Sequence, residues 1–229
     1  PDGKSIAFVD DDVRVRVVDV ESGRIRTADT GGTNLERGGM GLTWSPDSRW
    51  LAYAKTFPNN FRRIVAWNAE TGIASALTDA MADATRPSWD RDGRHLYFLA
   101  STNLALNSGW ANTSSILAGA PTYAAYVMVL RADDPTPFPL RSDEEPVEDA
   151  EAPEEGDRAA PGSGPGGPGG DEPAGGAATD TVRIDLDGIE RRIVALPMPV
   201  RRYALTTAGP EGSVFIGEFV DNQPGLTLH

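Results

Sequence analysis

The 229 residues carry a net charge of −13, no cysteine and 39% hydrophobic side chains, enough for one large domain with a buried core. The missing cysteines exclude a disulfide framework and thiolate chemistry, and no signal peptide or membrane-length apolar run is found. The acidity is local: Arg141–Ala178 holds eleven acids against two arginines, which leaves the rest of the chain at −4. No basic face is visible to compensate phosphates, which disfavours a nucleic-acid role.

The chain opens on Pro1-Asp2-Gly3-Lys4, followed by the alternating Ser5-Ile6-Ala7-Phe8. Proline pre-sets φ at the first central position of a turn, aspartate bonds back to the backbone, and glycine supplies the positive φ that follows. The stretch therefore reads as a turn entering a strand. A chain that begins inside a hairpin turn is expected to be a segment of a longer polypeptide. Val13–Val20 and Ile25–Ala28 read as two more strands, joined through Glu21-Ser22-Gly23.

Thr43–Ala54 gives the pattern in full: a strand ending at Trp44, a turn over Ser45-Pro46-Asp47-Ser48, and a strand from Arg49. Strands are predicted at Gly41–Trp44, Arg49–Lys55, Arg62–Asn68 and Ile73–Leu77, with Gly72 turning the last pair. A third copy is Asp90-Arg91-Asp92-Gly93-Arg94 before Leu96-Tyr97-Phe98. A weaker fourth is Pro210-Glu211-Gly212 before Val214-Phe215-Ile216. Asp2, Asp47 and Asp92 stand 45 residues apart. A period in the forties with several short strands per unit is the signature of a β-propeller blade, whose faces are buried only by stacking on neighbours. The fold class is all-β: a propeller segment of about four four-stranded blades, part of a larger, seven-bladed propeller. Residues 1–229 form one such segment, with units near 1–42, 43–85, 86–200 and an incomplete 201–229.

The third unit starts at Arg86-Pro87-Ser88-Trp89 and leaves the pattern after Leu99. Ser101–Thr122 reads as a surface loop or as a flap over one mouth of the propeller. A strand resumes over Tyr123–Arg131. The acidic, then Gly/Pro-rich tract at 141–178 lacks aromatics and is expected to be a disordered insertion. Order returns with Val182–Leu186 and Ile189–Ile193, which read as two strands around an Asp187-Gly188 hairpin turn. Tyr123–Leu130 and Val182–Leu186 both suit the third strand of a blade. Tyr203–Thr206 and Ser213–Phe219 open the next blade, and Asp221–Gly225 reads as a loop.

No catalytic centre assembles from these residues. His95 sits just after a turn, on the strand face opposite Leu96 and Phe98, and His229 is the last residue. A Ser-His-acid triad would need His95 with a serine from another blade, and no Gly-x-Ser-x-Gly elbow occurs. Metal sites lack cysteine and a histidine pair. The aspartates of Asp10-Asp11-Asp12 and Asp90-Arg91-Asp92 belong to no calcium loop and are expected to serve their turns. The pairs Arg62-Arg63, Arg191-Arg192 and Arg201-Arg202 could anchor a carboxylate or make salt bridges at the rim. Only one arginine of a pair in a strand could face a given site. No catalytic, cofactor or metal residue is assigned.

Trp44-Ser45-Pro46-Asp47-Ser48-Arg49-Trp50-Leu51-Ala52-Tyr53 resembles the PD40 (WD40-like) propeller repeat of TolB-type proteins, prolyl-oligopeptidase propellers and tricorn proteases, with Ser48 where glycine is usual. Tyr126–Phe138, running into an acidic tract, and Ile184–Pro197, followed by Arg202-Tyr203, resemble the second propeller of tricorn-type proteases. The resemblance implies a cytoplasmic, homo-oligomeric parent with an S41-type serine-peptidase domain, whose catalytic residues lie beyond His229. This segment would then guide or filter peptide substrates and contact other domains of the same polypeptide, with no cofactor, nucleic acid or membrane. The alternatives are a TolB-like protein-binding propeller and the propeller of a prolyl-oligopeptidase-type enzyme.

Overall fold

The computed structural model describes residues 1–32, 39–102, 122–138 and 181–229. Apart from its ends, the loop expected at 101–122 lies outside these residues, as does the tract at 141–178. The described strands form four antiparallel meanders. The first holds β1 (Ser5–Val9), β2 (Arg14–Asp19) and β3 (Ile25–Thr30). The second holds β4 (Thr43–Trp44), β5 (Trp50–Thr56), β6 (Arg62–Asn68) and β7 (Ala74–Ala76). The third runs through β8 (Asp83–Trp89), β9 (His95–Ser101), β10 (Ala124–Val129) and β11 (Ile193–Ala195). The fourth has β12 (Tyr203–Ala208), β13 (Val214–Glu218) and β14 (Thr227–Leu228). These are blade-like sheets, as the repeat implied.

Strand alternation sorts the apolar side chains between two faces of each sheet. In the second sheet Leu51, Tyr53, Val65 and Trp67 point at the first, where they bury Val13, Val15 and Val17. Their neighbours Ala52, Ala54, Ile64 and Ala66 point the other way, against Leu96, Phe98 and Met128 of the third sheet. A smaller layer of Leu99, Tyr123 and Ala125 meets Tyr203 and Ile216 of the fourth. Burying a side chain such as Leu51 or Ile64 stabilises by about 1.5–3 kcal/mol, so face-to-face stacking is what holds the sheets together. A one-residue slip in β5 would exchange the two faces and break both layers.

Two sequence expectations are corrected and one open choice is resolved. β8 begins at Asp83, before Arg86, because a bulge between Thr85 and Ser88 interrupts its alternation. The third strand of the third sheet is β10, not Val182–Leu186. The Asp187-Gly188 hairpin does not form: Ile189–Arg192 is a 3-10 turn entered through Gly188 at φ 63°, and β11 starts only at Ile193. Arg192 explains the difference. Its guanidinium donates to the carbonyls of Val129, Leu130, Asp185 and Asp187 and so holds the chain in the turn. Val182 and Ile189 meanwhile enter the core between the second and third sheets.

Candidate functional site

Each sheet from the second onward is entered through its first strand, β4, β8 or β12, and side chains tie these strands in sequence. The Trp89 indole donates to the Thr43 carbonyl at 3.1 Å, and the Thr206 hydroxyl donates to the Arg86 carbonyl. The three strands therefore line up as one common edge. On it, Arg86 is the exposed residue of a β8 that is otherwise buried. Its backbone is left-handed, at φ 56°, directly before Pro87.

The turns that lead into β1, β5 and β9 are built alike. Aspartate folds each of three turns by accepting from the amide two residues on: Lys4 N to Asp2 at 3.0 Å, Arg49 N to Asp47 at 3.1 Å, and Arg94 N to Asp92 at 2.7 Å. Asp10 likewise accepts from Asp12 N and Arg14 N, and its other oxygen meets Arg14 and Arg16. Of the aspartates singled out in the sequence, Asp10, Asp90 and Asp92 serve turns, as expected of them.

One turn does more. The Asp90 carboxylate is buried, and accepts the Tyr97 hydroxyl at 2.9 Å and, on both oxygens, the Gly212 amide at 3.1 and 3.0 Å. His95 Nδ1 is 3.1 Å from Asp92 and 4.0 Å from Asp90. Its pKa is raised, through the hydrogen bond to Asp92 against some burial; Asp92 is lowered, because bonds from His95 and Arg94 N outweigh its burial. Burial and the Asp90 carboxylate push the Tyr97 phenol up.

Oxygens of Asp90 and Asp92 and a nitrogen of His95 lie within 4.8 Å of one another, so these three could converge on a cation. The sequence reading weighed Asp90 and Asp92 apart from His95 and missed this convergence, which the three-residue offset into β9 creates. Asp90 already takes donors on both oxygens, so a metal would have to displace the Gly212 or Tyr97 bond that joins the turn to its neighbours. The cluster fits a structural clasp better than a metal centre. No serine bonds to His95 among the described residues, so it builds no triad there.

The arginine pairs separate. Arg62 forks onto the buried Asp83 (Nε–Oδ1 2.9 Å, Nη2–Oδ2 2.6 Å) and reaches the Tyr123 hydroxyl at 3.2 Å. Arg63 donates to the Thr78 carbonyl and lies over the Phe57 ring. Arg201 pairs its backbone with Tyr123, and Arg202 meets Asp221 on the surface. With Arg192 on backbone carbonyls, each of these contacts is structural. Arg86, the cation that stands out on the common edge, was not singled out in the sequence. The signal that could have found it was its place 45 residues after Gly41.

No family model matches the chain. "Tricorn protease homolog 1" of Streptomyces coelicolor is 28% identical over 216 residues, 94% of this chain, which spans only 18% of that relative's length. "Tricorn protease homolog" of Saccharolobus solfataricus is 29% identical over 105 residues, 45% of this chain and 9% of the relative. Among solved structures, a crystal structure of the tricorn protease aligns over 96% of this chain and 18% of its own, with a TM-score of 0.61 and 16% identity. The chain is thus similar in sequence, over nearly its whole length, to a tricorn protease homologue, and its blade-like sheets match the fold of part of the tricorn protease.

Proposed function

We propose that this segment is a non-catalytic wall of a propeller that guides and filters peptide substrates toward a peptidase site elsewhere in the same polypeptide. The observation that carries the reading is the common edge of β4, β8 and β12, tied by Trp89–Thr43 and Thr206–Arg86. First strands aligned in this way surround the axis of a propeller, and further blades would close them into a tunnel. A rigid tunnel of that kind selects by exclusion: an extended peptide passes and a folded domain does not. Arg86 would meet acidic groups of the passing chain. The small share of the curated relatives that this chain spans supports a division of labour between this segment and a catalytic domain. A cytoplasmic, homo-oligomeric parent with no nucleic-acid or membrane partner belongs to the same proposal.

The test compares peptide hydrolysis by the full-length protein with that by a version lacking the domain that holds this segment. Small chromogenic peptides, peptides of about ten residues and an unfolded protein are the substrates. Unchanged cleavage of the small substrates with an altered size cutoff is the expected result. A full-length protein that cleaves no peptide would remove the reading and leave a binding propeller as the better account.

A further inference from the structure

A second feature lies in the groove between the second and third sheets. There a cavity of about 230 Å³ opens between the β7–β8 connection, strands β8 to β11 and the 3-10 turn. Three alanines, Ala82, Ala84 and Ala100, make the room. The stacked rings of Phe98 and Tyr126, centroids 5.6 Å apart and 19° from parallel, form an apolar aromatic wall. At the lining stand two exposed acids, Asp79 and Glu190, and no lysine or arginine. Among the described residues the Asp79 carboxylate accepts the Met81 amide, and no ion pair to either acid occurs.

We propose that this cavity binds a lysine side chain presented on an extended peptide segment. The chemistry is complementary at both ends. A lysine stem is a four-carbon apolar chain that covers apolar surface while its ammonium stays polar. The alanines and the aromatic pair suit the stem. The ammonium would lie between two carboxylates, with the ring faces adding a cation–π attraction. A glutamate stem would bring like charges together, and norleucine would leave the carboxylates unmatched. The site lies beside the proposed peptide path rather than along it, since Ala84 is the one lining residue that belongs to the common edge.

The test uses the full-length protein and two uncleavable probes, Nα-acetyl-lysine amide and Nα-acetyl-norleucine amide, followed by saturation-transfer NMR. The lysine probe is expected to give at least a fivefold larger response. Asp79→Asn with Glu190→Gln should reduce that response at least fivefold, and Ala82→Leu, which fills the cavity from a half-buried position, should abolish it. Both acids are exposed, so their neutralisation leaves folding intact. Carbodiimide coupling then distinguishes the sources. A zero-length crosslink from Asp79 or Glu190 to a lysine outside these residues identifies an occupant from the same polypeptide, and a lysine-probe response without that crosslink identifies a free peptide. Equal responses to the two probes with no crosslink, or a response indifferent to Asp79→Asn/Glu190→Gln, would overturn the proposal.

Discussion

Arg86 and Gly41 hold the same place before successive turns, 45 residues apart, and both have left-handed backbones, at φ 56° and 61°. Glycine adopts that conformation freely, whereas a side chain with a Cβ does so at a cost of about 1 kcal/mol or more, and a following proline restricts it further. The strain at Arg86 persists because the bulge in β8 and the bond from Thr206 fix the backbone there. Arg86→Gly is therefore expected to stabilise β8 by about 1 kcal/mol. Amide hydrogen exchange of Ser88 and Trp89 in the full-length protein should slow about fivefold. Unchanged or faster exchange would show that the arginine side chain contributes more than its strained backbone costs.

Local chemistry made much of the fold legible. The turn at Ser45–Ser48 could be read because Pro46, Asp47 and their neighbours act within a few residues, and Ser48 does adopt the expected positive φ of 61°. β5 and β6 could be read because each feeds two buried faces. What escaped was non-local. The start of β8 was hidden by its bulge, and the 3-10 turn by a single arginine that satisfies four carbonyls around it. Asp90 looked like one more turn aspartate, since its bonding to Gly212 spans 122 positions. Arg86 was overlooked because arginine carries no sequence signature of a left-handed backbone.

Asp90 fastens the third sheet to the turn of the fourth. Asp90→Ala removes the acceptor of the Tyr97 hydroxyl and of the Gly212 amide in a buried place, at a cost of about 2–3 kcal/mol. Exchange at Gly212 and along β13 should accelerate more than tenfold. Tyr97→Phe should cost less alone, and the two changes should combine to less than their sum, because they remove one shared interaction. Strict additivity would mean that the Tyr97 bond adds nothing to the clasp.

His95 and Asp92 set a pH window. The folded pKa of His95 lies above the ordinary histidine value of 6.5, so its stabilising contribution is complete below 6.5 and is lost as pH rises through the higher folded value. The folded pKa of Asp92 lies below 3.8, so its contribution is present above 3.8 and is lost as pH falls through the lower folded value. The pair is expected to hold the turn most firmly between 3.8 and 6.5. Histidine-selective NMR, with His95→Gln for assignment, should show titration above 6.5 that returns toward 6.5 in Asp92→Asn. A His95 signal indifferent to Asp92→Asn would assign the shift to other neighbours.

Arg62 and Asp83 join the second and third sheets through a bidentate pair in which the carboxylate is 1% exposed. Taking two charges out of water is costly, and here the fork, the Arg62 amide and the Tyr123 hydroxyl offset that cost. Removing one member is the damaging change, because the other stays buried without its counter-charge. Arg62→Met should therefore destabilise this junction by about 3 kcal/mol or more. Arg62→Lys should recover only part of the loss, since an ammonium is a point charge and cannot make two parallel bonds to one carboxylate. Exchange in the amides of β6 and β8 would rank wild type, lysine and methionine in that order. Equal protection in the lysine variant would show that charge alone suffices, and that the geometry of the fork contributes nothing to the joining of the two sheets.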